Sequence, residues 1–283
     1  MKVTIIYFSQ TGNTRSVAET MIEAFRENGC HARAVSLKKA TPQDATTGDL
    51  LGIGTPCFAS QAPVPVKAFL NTLPRLAGKP AFVFATSGGA PGRVLYDLTR
   101  SLQRKGAEVI GGFLTRGEIH YPPPSLIGRF PQRPNAEDLT EARSFARMVS
   151  EHVMSGRPGR VAGSRPDTVR PQGSFYNSVA LLCKDTFLRL ILPEPKLDPD
   201  RCDVCQWCAY ECPMHNISMS PYPKIGRECI RCYRCLTGCP QKAFRVDWKT
   251  SDLPIRIIYH PTFERWFGDL KTGEIIYPEV GNK

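Results

Sequence analysis

Eight of the eleven cysteines lie between Cys202 and Cys239, and their spacing carries the first chemistry. Cys202-x2-Cys205-x2-Cys208-x3-Cys212-Pro213 recurs, displaced by 27 residues, as Cys229-x2-Cys232-x2-Cys235-x3-Cys239-Pro240. Thiols grouped this tightly read as a local metal site and not as a disulfide framework. Three thiolates so spaced can wrap three corners of an iron–sulfur cube, while the fourth, followed by proline, is aimed at the neighbouring cube. The spacing therefore predicts one 4Fe-4S cluster on Cys202, Cys205, Cys208 and Cys239, and a second on Cys229, Cys232, Cys235 and Cys212. Crossed ligation makes each cluster a staple for a module with little core of its own. A zinc framework would set two C-x2-C pairs either side of a longer loop. Radical chemistry on S-adenosylmethionine would show C-x3-C-x2-C, which the sequence lacks. Cys30, Cys57 and Cys183 stand alone and read as small buried hydrophobes. His215 reads as structural, because the cysteines already fill both cubes.

A second constellation opens the chain. An apolar run ends in Ser9-Gln10-Thr11-Gly12-Asn13-Thr14 and a helical pattern begins at once. Backbone N–H groups of such a turn converge with the hydroxyls of Ser9, Thr11 and Thr14 on one spot, a nest suited to a phosphate dianion. Neither G-x-x-x-x-G-K-[ST] nor G-x-G-x-x-G occurs, which disfavours triphosphate hydrolysis and a dinucleotide fingerprint. Ser9 with Arg15-Ser16 has the spacing of the C-x5-R-S loop of low-molecular-weight tyrosine phosphatases. That chemistry needs a thiolate, and a serine without a neighbouring base is a poor substitute.

Over residues 1–155 the sequence resembles the flavodoxins, whose T-x-T-G-x-T loop is matched by Ser9, Thr11, Gly12 and Thr14. The resemblance implies FMN, with its phosphate on that loop and its ring at the topological switch of a doubly wound parallel sheet of order 2-1-3-4-5. Two further loops would then clasp the ring: Thr55, Pro56, Cys57, Phe58 and Ala59 after the third strand, and Thr86, Ser87, Gly88 and Gly89 after the fourth. Phe58 suits stacking on the ring and equally suits a core position. Residues 196–248 resemble a bacterial two-cluster ferredoxin, an α+β module. One departure stands out: the glycine often found after the second cysteine is Gln206 in one motif and Tyr233 in the other. Taken whole, the chain resembles the flavodoxin–ferredoxin fusion proteins.

These sites need elements to hold them. Short apolar runs at 3–8, 31–35, 50–55, 81–86 and 108–114 read as strands, alternating with helix-period stretches. Val17, Met21, Ile22 and Phe25 share one helix face; so do Val94, Leu95, Leu98 and Leu102, and, in a helix from Ala136, Leu139, Ala142, Phe145, Met148 and Val149. Residues 111–135 hold too many prolines for a helix and read as a long surface loop. The Gly/Pro/Arg-rich stretch 156–173 marks a boundary, followed by an amphipathic bridging helix over 175–192. The expected organisation is thus 1–155, flavodoxin-like; 156–195, linker and bridging helix; 196–248, the two-cluster module; and 249–283, an extension of unread role with strands at 255–258 and 275–277.

With 283 residues and 41% apolar composition, the chain can build about two cores, and no run reaches the roughly 20 apolar residues of a membrane span. The start MKVTIIYF lacks a cleavage site and reads as a strand, so the expectation is a cytoplasmic protein whose thiolates stay free for metal. The formal charge of +11 falls to about +5 once two clusters and an FMN phosphate, about −2 each, are counted. The remainder would steer an acidic redox partner, such as another ferredoxin or a reductase, and nothing reads as a nucleic-acid module. Arg227, Arg231, Arg234, Lys242 and Arg245 flank the second cysteine motif, whereas Asp200, Asp203 and Glu211 flank the first. Positive charge favours the reduced cluster, so the one on Cys229, Cys232 and Cys235 is expected to be the easier to reduce. The function that follows is electron transfer between FMN, two 4Fe-4S clusters and an external protein. The alternatives are an FMN-dependent reductase of a small substrate fed by the clusters, and a clustered protein whose flavodoxin domain is an empty docking platform.

Overall fold

A computed structural model describes residues 1–89, 91–156, 159, 161, 188–189, 191–249 and 252–257. The five apolar runs form strands β1 (Lys2–Tyr7), β2 (His31–Ser36), β3 (Leu50–Pro56), β4 (Pro80–Ser87) and β5 (Glu108–Arg116). They pair in parallel in the order β2-β1-β3-β4-β5. A parallel sheet is covered on both faces, which explains why β1, β3 and β4 are apolar without alternation.

Helices α1 (Asn13–Glu27) and α4 (Ala136–Met154) cover one face, where Val17, Met21, Phe25, Ala142, Phe145 and Val149 pack on Val3, Ile5, Phe82 and Phe84. Helices α2 (Val64–Thr72) and α3 (Val94–Arg104) cover the other, where Val66, Leu70, Leu98 and Leu102 meet Ile6, Ile53, Val83 and Ala85. The expected apolar faces are therefore the buried ones, with Leu139 and Met148 at the rim of their cluster. Helix α4 starts at a reciprocal cap: Asn135 Oδ1 accepts from Asp138 N at 3.1 Å, and Asp138 Oδ2 from Asn135 N at 2.8 Å. No apolar stripe marked α2, because Pro63 and Pro65 punctuate its start; both fall where a helix tolerates proline, at the N-cap and in the first turn.

Beyond the sheet, β6 (Lys196–Leu197) pairs antiparallel with β9 (Phe244–Arg245), and β7 (Ile217–Met219) with β8 (Pro223–Ile225). Short helices run over Trp207–Glu211 and Arg234–Thr237, each immediately inside a cysteine motif. Most of the bridging helix and all of the strand at 275–277 lie outside the described residues. The strand expected at 255–258 is corrected for its described part: residues 252–257 are helical. Among the described residues no helix is long and apolar enough to cross a membrane.

Candidate functional site

The loop Ser9–Thr14 stands at the carboxyl end of β1, and Gly12 is the N-cap of α1. Its φ of +107° lies in the left-handed region that a side chain disfavours, which lets the chain turn tightly from β1 into α1. Gly12 offers no side-chain cap, the first helical turn has no acidic residue, and the first N–H groups of a helix have no intrahelical acceptor. Such a terminus favours an anion. Ser9 Oγ accepts from Gly12 N at 3.2 Å. Thr14 turns inward, its hydroxyl 2.8 Å from the Thr86 hydroxyl, and both residues are buried. That bond ties the phosphate loop to the end of β4.

The other two expected loops meet at the same end of the sheet. Cys57 N donates to Thr86 O at 2.8 Å and Arg93 N to Ser60 O at 2.7 Å, while Phe58 and Gln61 exchange two backbone bonds of 2.9 Å in a tight turn. Ala59 and Ser60 take left-handed φ values of 45° and 64° within it. Thr55 is fully buried, Pro56 half-buried, and Gly89 N donates to Ser87 Oγ at 3.3 Å beside Gly88. Phe58 sits edge-on to Phe8 with ring centroids 6.4 Å apart, half-buried against the core. Burial pushes the Cys57 thiol up to about 12 and its Sγ donates to Pro91 O at 3.4 Å, so it stays protonated. The structure thus gathers the predicted residues of all three loops at the carboxyl end of the interior strands β1, β3 and β4. The loop expected over 111–135 is corrected at its start, since β5 runs to Arg116; buried Arg116 donates to Gly89 O at 2.9 Å, and beyond the strand Glu118 O accepts from Asn13 Nδ2 at 2.9 Å.

The cysteines form two cages. Cys202, Cys205, Cys208 and Cys239 line one small hollow of about 10 Å³. Cys212, Cys229, Cys232 and Cys235 line another of about 20 Å³. Each cage takes three cysteines from one motif and the fourth from the other, the partition that the spacing predicts. Among the described residues, no three His, Cys, Asp or Glu side chains converge closely enough to hold a single metal ion. The cages are built alike. Residues 27 apart share left-handed backbone: Val204 and Arg231 (φ 57° and 54°), Gln206 and Tyr233 (63° and 56°), His215 and Lys242 (48° and 51°). Asn216 N donates to Cys212 Sγ and Ala243 N to Cys239 Sγ, both at 3.4 Å. The left-handed φ at Gln206 and Tyr233 is the physical reason for glycine at these places. Here Tyr233 is retained by its other contacts: it is buried, donates to Pro193 O at 2.8 Å and lies edge-on to Trp248.

Electrostatics separate the cages. Burial, reinforced by the neighbouring cysteines, raises Cys235 far above an ordinary thiol, and burial raises Cys208 and Cys232. Arg231 pairs with Glu194 at 2.9 Å and donates to Leu192 O at 3.3 Å, while Arg234 pairs with Glu211 at 3.2 Å and covers the Trp207 ring at 4.9 Å. Glu211 also receives Lys38 at 2.8 Å, and the two cations hold its carboxyl below the usual range.

A sheet of this order with a phosphate nest at its switch point defines an FMN-binding electron-transfer class. The flavodoxin-domain family model matches residues 4–153, more than half the chain, which belongs to that family. It is similar to the flavodoxin of Megasphaera elsdenii, 28% identical over 112 residues that make up 38% of this chain and 82% of that one. It is likewise similar to the flavodoxin of Aquifex aeolicus (strain VF5), 32% identical over 94 residues, 31% of this chain and 51% of that one. Among solved structures, a flavodoxin from the domain Archaea superposes with a TM-score of 0.45 at 18% identity, covering 54% of this chain and 99% of the other.

Proposed function

We propose that the chain is an electron-transfer flavo-iron–sulfur protein that carries electrons between FMN, two 4Fe-4S clusters and an external redox protein in the cytoplasm. In this reading residues 1–155 are the flavin module, 156–195 link it to the ferredoxin-like module at 196–248, and 249–283 extend it. One observation carries the reading: two voids, each walled by the four thiols that crossed ligation calls for. A zinc framework would draw its sulfurs from two C-x2-C pairs, whereas each hollow here takes three cysteines from one motif and the fourth from the other.

The chain's residues have distinct tasks. The N–H groups of Gln10–Thr14 and the hydroxyls of Ser9 and Thr11 would hold the FMN phosphate, with Thr14 setting the loop against Thr86. Thr55–Ala59 and Thr86–Gly89 would flank the ring and exclude water from it. FMN supplies a carrier of two electrons and each cluster a carrier of one. The eight cysteines would ligate the clusters as thiolates, since a coordinating metal replaces the thiol proton despite burial. Asn216 N and Ala243 N each donate a hydrogen bond to the sulfur that crosses to the other motif.

The test is the Thr11→Val/Thr14→Val double variant purified without oxygen. It should lose flavin and keep its iron; simultaneous loss of both would contradict separate sites in one relay.

A further inference from the structure

The segment after β5 folds into a finger. Ile119 N donates to Arg129 O at 3.0 Å and Gly128 N to Ile119 O at 2.8 Å, which closes its base, while Leu126 N and Ile127 N both donate to Pro123 O, at 2.9 and 3.0 Å, inside its tip. The base is seated on Gly88, where a Cβ would lie 2.1 Å from Ile119 Cγ1, and on Asn13, whose Nδ2 donates to Glu118 O at 2.9 Å. Pro122, Pro123 and Pro124 fix φ along the tip. A finger held in this way has little freedom left to lose on contact with a partner.

Its contacts lie in the cysteine module. Before the prolines, the Tyr121 hydroxyl donates to Arg231 O at 2.9 Å, and the Tyr121 ring meets that of Tyr233 edge-on at 5.3 Å. After them, the N–H and the hydroxyl of Ser125 both donate to Asp252 Oδ1, at 3.0 and 2.7 Å. A different loop adds a further contact: Lys38, just after β2, places Nζ 2.8 Å from Glu211 Oε1 and 3.2 Å from the centre of the Tyr210 ring. Two modules that share a small interface move relative to one another by default. Contacts on both sides of a preorganised finger, with another from a separate loop, oppose that motion.

We propose that the finger 119–129 is a docking element for the chain's own cysteine module, with Tyr121 as its latch and Lys38 as an outlying contact, so that the flavodoxin domain and the cysteine module move as one body. This goes beyond the functional reading, because it concerns how the modules are held and not what they carry.

The experiment is amide hydrogen exchange, read by mass spectrometry with residue-level fragmentation, on the full chain purified without oxygen. The Ser125 N–H reports docking, because its acceptor, Asp252, belongs to the other module; the Gly128 N–H reports the finger alone, because its acceptor, Ile119 O, lies within it. Both should be protected in the unmodified chain. Tyr121→Phe keeps the ring and removes one hydrogen bond, which shifts an equilibrium about two- to tenfold. Exchange at Ser125 should quicken by that factor while Gly128 keeps its rate. Lys38→Gln touches neither the finger nor Asp252, so it should quicken Ser125, by about two- to fivefold, only if the modules dock as a unit. Should Tyr121→Phe also unprotect Gly128, the finger itself has been disturbed and Lys38→Gln decides. A Ser125 amide that exchanges freely in the unmodified chain, or at an unchanged rate in either variant, overturns the inference and leaves the functional reading standing.

Discussion

Gly238→Ala probes the joint between the two cysteine motifs. Gly238 has φ −105° and ψ 0°, an ordinary right-handed conformation, so alanine meets no backbone penalty there and only packing is changed. The added Cβ would lie 1.9 Å from Trp207 Cη2 and 2.7 Å from Cζ2 and Cζ3. Carbon atoms settle at about 3.5 Å or more, so the ring or the chain must yield by roughly 1.6 Å. Trp207 has little room, with the Arg234 guanidinium over its face. Trp207 precedes Cys208 and Gly238 precedes Cys239, two walls of the same void. Overpacking of this kind costs about 1–3 kcal/mol, which for a chain of this size lowers the melting transition by about 2–5 °C. The displacement should also separate Cys208 from Cys239 and empty one cage, halving the iron. Iron analysis and calorimetry on protein purified without oxygen measure both effects. Full iron with an unchanged melting temperature would refute the packing argument.

Changing Arg231 and Arg234 to Gln removes positive charge beside the second-motif cage, so its cluster should become harder to reduce; equal midpoints before and after, in a titration followed by EPR, would count against the electrostatic reading. Gln206→Gly relieves a left-handed side chain and should stabilise the module by about 1 kcal/mol, whereas Tyr233→Gly should destabilise it by removing a buried ring, both read as denaturation midpoints. Glu211 has a folded-state pKa below its ordinary 4.5, so its contribution is present above that value and is lost as pH falls through the lower, folded value. Acid titration of stability should therefore flatten in Glu211→Gln over that interval, and an unaltered acid limb would exclude the Lys38–Glu211–Arg234 link as its source.

Much of this was legible because the signals are local. The strand runs and the Gly12 turn each act within a few positions, and the three-residue beat of the cysteines is a signal of the same local kind. Helix α2 was less visible, because the prolines that start it also read as loop punctuation. The segment after β5 read as a long surface loop beside the flavin, and its contact with the cysteine module was hidden because Tyr121 finds its partner at Arg231, 110 residues away. Residues 255–257 looked extended because Ile255, Ile257 and Ile258 are β-branched, and the helical turn from Asp252 overrides that preference; Asp252 Oδ1 accepts from Ser125 Oγ at 2.7 Å.

The central claim is tested most directly by counting cofactors in the full chain purified without oxygen, by visible spectrum, iron, acid-labile sulfide and extractable flavin. The account predicts a brown protein with about eight iron, about eight sulfide and one FMN per chain. Zinc in place of iron, or iron without flavin, would contradict it.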